Sequence, residues 1–214
     1  MNTIIFDMDG TLIKSEEKYF YIWQELVNNK GFPLDVAFYQ TLLGRPTTTI
    51  KQHFIAHYGA EFPFDELFTE FLRRREIATA TGDFEIMDGA EEFLQSCLQK
   101  NITCCLATSS HQAEATTILK KLNLFDYFSY TSFGDQVRVG KPDPEIFLNI
   151  LAKAQVSAED CLVFEDSISG VRAAQGAKLP VYYLTNFMDL PKEYDPLISG
   201  SFHDFIAAQE VLKS

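Results

Sequence analysis

The amino-acid sequence predicts an α/β fold in which helices cover a parallel β-sheet and an all-helical segment is inserted after the first strand. Three observations support this prediction. Short apolar runs alternate with stretches of helical periodicity, the order typical of α/β proteins. Residues 15–82 break the alternation, because they show helical periodicity and no convincing strand. The chain has 214 residues, 46% of them hydrophobic, which is enough to bury a core without disulfides.

Buried parallel strands are predicted where apolar runs are bounded by turn residues. Four of them span residues 3–6, 102–107, 161–164 and 181–184, and a fifth is predicted at residues 127–132. Joined by helices, such strands form a Rossmann-like sheet, whose ligands bind at the carboxyl ends of the strands.

Apolar residues spaced by three and four positions predict amphipathic helices between the strands. The three clearest stripes comprise Ala90, Phe93, Leu94, Cys97 and Leu98, then Ala115, Ile118, Leu119 and Leu122, then Phe147, Ile150, Leu151 and Ala154. Asp88 with Glu91 forms a capping-box pattern, and Asp143 before Pro144 predicts a helix that begins at the proline.

The inserted segment is predicted to be a helical cap, which leaves residues 1–14 and 83–214 as the core and residues 15–82 as the cap. The cap contains 13 of the 29 aromatic residues in the chain. We interpret them as packing residues of a small helical domain, with an aromatic ligand pocket as the alternative. Because the insertion leaves the first strand and returns before the second, we expect it to cover the carboxyl ends of the strands.

Charge and cysteine content argue against several classes of function. The net charge of −12 and the pI near 4.7 disfavour binding to nucleic acid or to anionic membranes. The four cysteines show no CxxC spacing and are interpreted as core residues in a reducing compartment. No apolar run reaches the ~18 residues of a membrane span, and no basic targeting segment is present. We therefore expect a cytoplasmic monomer without a nucleic-acid or membrane partner.

Two carboxylates follow the first predicted strand, in the segment Asp7-Met8-Asp9-Gly10-Thr11. Asp-Gly is an ordinary turn dipeptide, which explains Asp9 but not Asp7. Residues two apart on extended backbone project to the same side, so both carboxylates can approach one ligand. Close carboxylates repel unless a cation or a shared proton lies between them.

Polar residues also follow the later strands. Thr108-Ser109-Ser110 opens a helix, where hydroxyls and amides either cap the helix or bind an anion. Lys141 lies in a Gly-Lys-Pro segment before another helix, and a solvated surface lysine is the alternative.

The fourth predicted strand ends in the acidic pair Glu165 and Asp166. Such a pair can form a turn and a helix cap, but its oxygens are also the ligands that Mg²⁺ prefers. We expect the pair to lie beside Asp7, Asp9 and Lys141, because the carboxyl ends of parallel strands share one edge of the sheet.

Taken in order, these motifs resemble those of the haloacid dehalogenase superfamily of phosphotransferases. The resemblance covers essentially the whole chain: DxDGT, a hydroxyl residue after the second strand, the lysine in GKPDP, and the acidic pair in FEDS followed by Gly170. The inserted helical segment is similar to the cap of the branch that includes β-phosphoglucomutase and many sugar-phosphate phosphatases. The resemblance implies a Mg²⁺-dependent phosphatase of a small phosphorylated metabolite such as a sugar phosphate.

The resemblance also implies roles for the core residues. Asp7 is the nucleophile that forms an aspartyl-phosphate, and Asp9 is the general acid and then the general base. Mg²⁺ is bound by Asp7, by the backbone carbonyl of Asp9 and by Asp166, with Glu165 as a ligand directly or through water. Lys141 offsets the negative charge of Asp7 and of the phosphate.

Substrate contacts follow from the same resemblance. Thr108 and neighbouring amides bind a phosphoryl oxygen, and Ser109 helps to position the substrate. Gly44 and Arg45 match a substrate-specificity loop of the cap, where Arg45 would bind a distal phosphate or carboxylate. A lone surface arginine is the alternative interpretation.

The sequence departs from its relatives at two positions. Lys14 occupies a place where many relatives have Asp, and Tyr19 stands where the mutase has a histidine. The second change favours hydrolysis over phosphoryl transfer between sugars, although Tyr19 also fits the apolar stripe of the cap. His53 and His57, four residues apart, are interpreted as packing or edge residues rather than metal ligands, and residues 73–75 as a solvated basic helix face.

Three other functions remain as alternatives. A sugar phosphomutase would share every core residue. A dehalogenase is disfavoured, because displacement at carbon needs neither the metal ligands nor Asp9. A non-catalytic ligand-binding or regulatory protein on the same fold is disfavoured by the presence of Asp7, Asp9 and Lys141.

Overall fold

A six-stranded parallel sheet forms the centre of the computed structural model, which describes residues 1–43, 45–185, 187 and 189–213. The chain divides into two units. The core unit comprises Met1–Ser15 and Phe84–Ser214, and the helical unit comprises Glu16–Asp83.

The strands occur in the order β3-β2-β1-β4-β5-β6 across the sheet. Their bounds are β1 Thr3–Phe6, β2 Thr103–Thr108, β3 Phe128–Phe133, β4 Cys161–Glu165, β5 Val181–Leu184 and β6 Gly200–Phe202. The α/β class and the five predicted strands are confirmed, with bounds shifted by a residue at some ends. β6 was missed, because three residues that include a glycine carry no apolar pattern.

Helices in the helical unit are α1 Ser15–Asn28, which begins in the core unit, α2 Val36–Gln40, α3 Thr47–Tyr58 and α4 Phe64–Thr81. Those in the core unit are α5 Ala90–Gln99, α6 Gln112–Lys121, α7 Glu145–Ala154, α8 Ile168–Gly176 and α9 Phe205–Ala208. No helix in the described part of the chain is both long enough and apolar enough to cross a membrane.

β1 is buried on both faces, as expected of the central strand of a covered sheet. Phe6 packs against Phe93, Phe164 and Phe205, with ring centroids 5.7–6.0 Å apart. Ile5 joins a second buried cluster on the other face, with residues of α7 and α8. The four cysteines are buried in this core, as predicted. Burial on both faces fixes β1, and with it the loop that follows.

The two predicted helix caps have different outcomes. The capping box was wrong: α5 begins after Gly89, whose φ of +76° suits glycine, and the Asp88 carboxylate accepts a hydrogen bond from Lys14 instead. Asp143 lies one residue before the cap position of α7, and its Oδ1 accepts from the backbone N–H of Glu145, the first residue of the helix, at 2.9 Å. Pro144 precedes α7 rather than being its first residue.

Aromatic rings fill the interior of the helical unit, as the packing interpretation predicts. Trp23 stacks on Phe54 and Phe71, with centroids 5.1 and 4.9 Å apart. Tyr19 lies edge-on to Phe71 at 5.8 Å, and the guanidinium of Arg75 covers its ring at 5.6 Å. Tyr19 is therefore a packing residue of this unit.

The two histidines interpreted as packing or edge residues, His53 and His57, lie on α3. His57 stacks on Phe38 with a centroid separation of 4.1 Å, which supports the packing interpretation. Nowhere among the described residues do three or more His, Cys, Asp or Glu side chains form a group suited to a metal ion.

Candidate active site

The carboxyl ends of β1, β2 and β4 meet at one edge of the sheet. Phe6, the last residue of β1, pairs with Leu106 on one side and Phe164 on the other. Successive strands are added on both sides of β1: β2 and β3 lie on one side, and β4, β5 and β6 lie on the other. The side changes between β3 and β4, although all the strands are parallel. This is the place where open α/β sheets bind ligands, and the predicted site residues follow these strands.

The loop after β1 turns back sharply on itself. Asp7 donates its backbone N–H to the carbonyl of Phe164 at 3.0 Å, which extends the pairing of β1 with β4 by one residue. The backbone N–H groups of Leu12 and Ile13 then both donate to the carbonyl of Met8, at 2.9 and 3.2 Å. The turn holds Asp7 buried at 6% exposure while the following residues stay near the sheet edge.

Gly10 brings Asp166 against this loop. Its φ of +72° is in the left-handed region that favours glycine, and an ideal Cβ there would lie 1.8 Å from Oδ2 of Asp166. Thr11, which is fully buried, donates its hydroxyl to Oδ1 of Asp166 at 3.4 Å. The Asp166 carboxylate therefore occupies the space that a side chain at position 10 would fill.

Lys141 joins two of the predicted carboxylates. Its Nζ donates to Oδ1 of Asp7 at 2.6 Å, to Oε1 of Glu165 at 2.6 Å and to the carbonyl of Ala107 at 3.0 Å. The side chain is 4% exposed, and Nζ lies 5.3 Å from the ring centroid of Phe147. Three acceptors match the three N–H groups of the ammonium, so the surface-lysine alternative is wrong.

Glu165 is fully buried and uses both of its oxygens. Oε1 accepts from Lys141, while Oε2 accepts from the backbone N–H groups of Asp166 and Ser167 and from the Ser167 hydroxyl, each at 2.9 Å. Gly170 makes room for the carboxylate, since an ideal Cβ there would lie 1.7 Å from Oε1. The geometry suits Glu165 to holding Lys141 in place.

Negative charge exceeds positive charge in this cluster. Burial raises the pKa of Asp7 to about 8, because the stabilising charge of Lys141 is countered by Glu165 and Asp9. Burial opposes the charge on Lys141, but Asp7 and Glu165 together raise the pKa of Lys141 well above its ordinary value. Burial is therefore the main cause of the raised pKa of Asp7, and the two carboxylates that share the ammonium are the cause of the raised pKa of Lys141.

The segment after β2 reaches across to Asp9. Thr108 is buried, and its Oγ1 accepts from the backbone N–H of Ser110 at 3.0 Å. Ser110 donates its hydroxyl to Oδ2 of Asp9 at 2.7 Å. Ser109, the predicted substrate contact, is exposed between them. The structure thus brings Thr108 and Ser110 to the same edge of the sheet as Asp7 and Asp9.

The two remaining predicted substrate residues fall within the sequence bounds of the helical unit. Gly44 lies outside the described residues. Arg45 is exposed, and its Nε donates to the carbonyl of Thr41 at 2.6 Å.

Lys14 is engaged inside the core unit. Its Nζ lies 3.0 Å from Oδ1 of Asp88 and 3.9 Å from Oε2 of Glu85. The backbone N–H of Lys14 donates to the carbonyl of Glu85 at 2.9 Å. Lys14 therefore ties together the two stretches of core-unit chain that flank the helical unit.

The donor chemistry at the sheet edge fits a hard divalent cation. Asp7, Asp9 and Asp166 offer oxygen atoms, the ligand type that Mg²⁺ prefers, and the carboxylates exceed the charge of Lys141. The protein would contribute the carboxylates of Asp7 and Asp166 and the backbone carbonyl of Asp9 to such a site. A third acidic side chain is then not required as a ligand. Both oxygens of Glu165 accept hydrogen bonds, one of them from Lys141, and its role as a metal ligand, directly or through water, stays a prediction.

Sequence reasoning missed three residues that shape this site. Ser110 was treated together with Thr108 and Ser109, and only its hydrogen bond to Asp9 sets it apart from them. Gly170 was noted as part of a motif without a physical role. Gly134, directly after β3, was not considered, although a glycine at a strand end signals close backbone approach: an ideal Cβ there would lie 2.0 Å from the carbonyl oxygen of Ser109.

Comparison with known proteins agrees with the geometry. Residues 1–178 match the family of haloacid dehalogenase-like hydrolases. The chain is 34% identical over 186 residues to a phosphorylated carbohydrates phosphatase of Thermotoga maritima, which covers 86% of this chain and 84% of the relative. It is 28% identical over 184 residues to the β-phosphoglucomutase of Bacillus subtilis, which covers 83% and 80% of the two chains. A haloacid dehalogenase family hydrolase from Deinococcus radiodurans, solved with phosphate and sodium, has the same fold, with a TM-score of 0.86, 18% identity and coverage of 99% and 95%.

Proposed function

We propose, from the premise that this chain belongs to the haloacid dehalogenase-like hydrolases and is a phosphoric monoester hydrolase, that it removes phosphate from a small phosphorylated sugar with the help of Mg²⁺. The observation that carries the proposal is the buried ion pair of Lys141 with Asp7, which has the charge of Asp9 nearby and Asp166 against Gly10 of the same loop. In this arrangement the Asp7 carboxylate lies at the edge of the sheet where ligands bind, and Lys141 supplies positive charge for a dianionic substrate.

Asp7 is assigned as the nucleophile. Its attack forms a bond between a carboxylate oxygen and phosphorus as the bond from phosphorus to the sugar oxygen breaks. Lys141 fixes Oδ1 of Asp7 through the 2.6 Å contact, which restricts the rotation of the carboxylate during the attack. Asp9 protonates the departing sugar oxygen, then takes a proton from the water that attacks phosphorus and releases Asp7.

Mg²⁺, when bound, supplies positive charge that draws the phosphate into an acidic site. Asp7, the backbone carbonyl of Asp9, and Asp166 are the groups that would hold it. Glu165 instead orients Lys141, since both of its oxygens are hydrogen-bonded.

The proposal also assigns the residues that contact the substrate. Thr108 and the adjacent backbone amides bind a phosphoryl oxygen, and Ser109 contacts the substrate. Gly44 and Arg45 belong to the cap, residues 15–82, where Arg45 binds a second anionic group of the substrate. We further propose that the enzyme acts in the cytoplasm as a monomer.

A sugar phosphomutase is the second candidate, favoured by the similarity to the Bacillus subtilis enzyme. Such an enzyme passes the phosphoryl group back to a sugar, so it needs a bisphosphate activator and its product retains phosphate. Tyr19 packs between Phe71 and Arg75 and offers no imidazole at that position, which supports hydrolysis.

The test is a screen of sugar phosphates for released inorganic phosphate, with Mg²⁺ and with a chelator. We expect release that requires the metal, and a loss of at least ~10²-fold in Asp166→Asn that excess Mg²⁺ partly restores. Asp126→Asn changes an exposed carboxylate just before the amino end of β3, whereas the predicted ligands follow the carboxyl ends of strands, and it serves as the control. Release that is unaffected by the chelator would overturn the metal assignment, and a bisphosphate requirement without free phosphate would establish the mutase instead.

A further inference from the structure

We propose that Ser110 is a positioning residue that holds the Asp9 carboxyl group in place for proton transfer. Its hydroxyl donates to Oδ2 of Asp9 at 2.7 Å, although the two residues are 101 positions apart in the chain. The bond joins the loop after β1 to the segment after β2. The inference rests on the proposed function, because it concerns the residue assigned there as acid and base.

The backbone of Ser110 is held by hydrogen bonds at both its N–H and its carbonyl group. Its backbone N–H donates to Oγ1 of Thr108 at 3.0 Å, and its carbonyl accepts from the backbone N–H of Gly134 at 3.0 Å. Gly134 also packs so closely on the carbonyl of Ser109 that a Cβ would clash at 2.0 Å. Three strand ends are thus tied together, so the Ser110 hydroxyl is a fixed point against which Asp9 can be held.

A hydroxyl suits this role for a chemical reason. It can donate a hydrogen bond to a carboxylate and accept one from a carboxylic acid. Asp9 is assigned to give up a proton in one half of the reaction and to take one in the other, and the same partner can hold it in both. An ammonium or a backbone N–H can only donate, so neither can accept a hydrogen bond from the O–H of a protonated Asp9.

The inference is distinct from a role in binding the substrate. A substrate contact at position 110 would raise KM when removed, whereas a positioning residue lowers kcat and acts only while Asp9 is present. Two residues that act as a unit also give losses that do not add. These differences define the experiment.

The experiment measures kcat and KM for p-nitrophenyl phosphate in Ser110→Ala, Asp9→Asn and the double variant. We expect Ser110→Ala to lower kcat by ~10-fold with KM within ~2-fold of the wild type, a fraction of the ~10²–10⁴-fold that an acid–base group contributes. Adding Ser110→Ala to Asp9→Asn should cost nothing further. Ser110→Thr keeps the hydroxyl and should restore kcat to within ~3-fold, and Ser129→Ala, at an exposed position on β3, is the matched control.

Each other result overturns the inference. Losses that multiply in the double variant would show that Ser110 acts independently of Asp9. A raised KM with unchanged kcat would assign Ser110 to the substrate, and a Ser110→Thr variant as impaired as Ser110→Ala would remove the hydroxyl from the argument. A wild-type protein that releases no phosphate from p-nitrophenyl phosphate or any sugar phosphate would overturn the proposed function, and this inference with it.

Discussion

Replacing Lys141 with methionine should damage both the stability and the activity of the protein. Methionine keeps most of the length and the apolar contact with Phe147, so the change removes chiefly the charge. Lys141 is 4% exposed and pairs at 2.6 Å with two carboxylates that are themselves at most 9% exposed. Removing one member of a buried ion pair costs ~3–5 kcal/mol, because the partner stays buried without its counter-charge.

The expected size of the effect follows from that free energy. For a chain of this length, 1 kcal/mol corresponds to ~2–4 °C in Tm, so Lys141→Met should lower Tm by ~6–20 °C in the presence of a chelator. Adding Glu165→Gln removes a buried carboxylate that has lost its counter-charge and should recover part of the loss. Phosphate release should fall by at least ~10³-fold, since the loss of one close charge at an effective dielectric of ~20 is worth about 4 kcal/mol.

Two measurements are needed. Calorimetry monitors thermal unfolding, and a second assay measures phosphate release at saturating Mg²⁺. Lys153→Met is the matched control, because Lys153 is exposed and its Nζ reaches the carbonyl of Thr131. This control should change the unfolding free energy by less than ~0.5 kcal/mol. A Lys141→Met protein as stable as the control would refute the buried-pair reasoning, and one with wild-type turnover would refute the role in charge compensation.

Three further outcomes are expected. Gly170→Ala should lower stability by ~1–3 kcal/mol and reduce kcat, since its Cβ displaces Glu165; a variant with unchanged unfolding and turnover would contradict the close approach. Because the folded-state pKa of Asp7 is raised to about 8, ionising Asp7 should cost the metal-free protein stability as pH rises from about 4 towards 8. Mg²⁺ competes with the proton on Asp7, so the increase in Tm on adding Mg²⁺ should be larger near pH 8 than near pH 6. An increase in Tm that becomes smaller as pH rises would contradict the raised pKa of Asp7. Arg45→Ala should raise KM by ~10-fold for substrates with a second anionic group and leave KM for p-nitrophenyl phosphate unchanged; equal effects on both would remove Arg45 from substrate recognition.

Sequence patterns predicted the parts of the site that depend on strand ends. An apolar run followed by a carboxylate marks both Asp7 and Glu165, and the alternation of strands and helices makes the sheet parallel. Once the sheet is parallel, these residues must share an edge, so their proximity follows from topology alone. The register observed between β1 and β4 bears this out.

Contacts between loops could not be predicted in the same way. Lys141 lies eight residues after the end of β3, and nothing in its segment reveals that its ammonium reaches Glu165 on β4. The two carboxylates compete for one cation, which is a property of the folded arrangement and not of any local pattern. For this reason the sequence placed Glu165 among the metal ligands and did not predict its hydrogen bond with Lys141.

Local sequence patterns also gave wrong predictions where the side chain in question forms a tertiary contact instead. Asp88 and Glu91 have the spacing of a capping box, yet the Asp88 carboxylate binds Lys14 and Gly89 begins the helix. Ser110 belongs to a run of hydroxyl residues that suits a helix start, and its bond to Asp9 arises only when β1 and β2 are adjacent.

The most direct test of the account replaces Asp7 with asparagine, which keeps the shape of the side chain and removes its nucleophilic charge. The measurement is Mg²⁺-dependent phosphate release from the best sugar phosphate, made alongside Tm. We predict turnover at background level, with unfolding that remains cooperative. Turnover near the wild-type rate in this folded variant would contradict the claim that Asp7 attacks phosphorus.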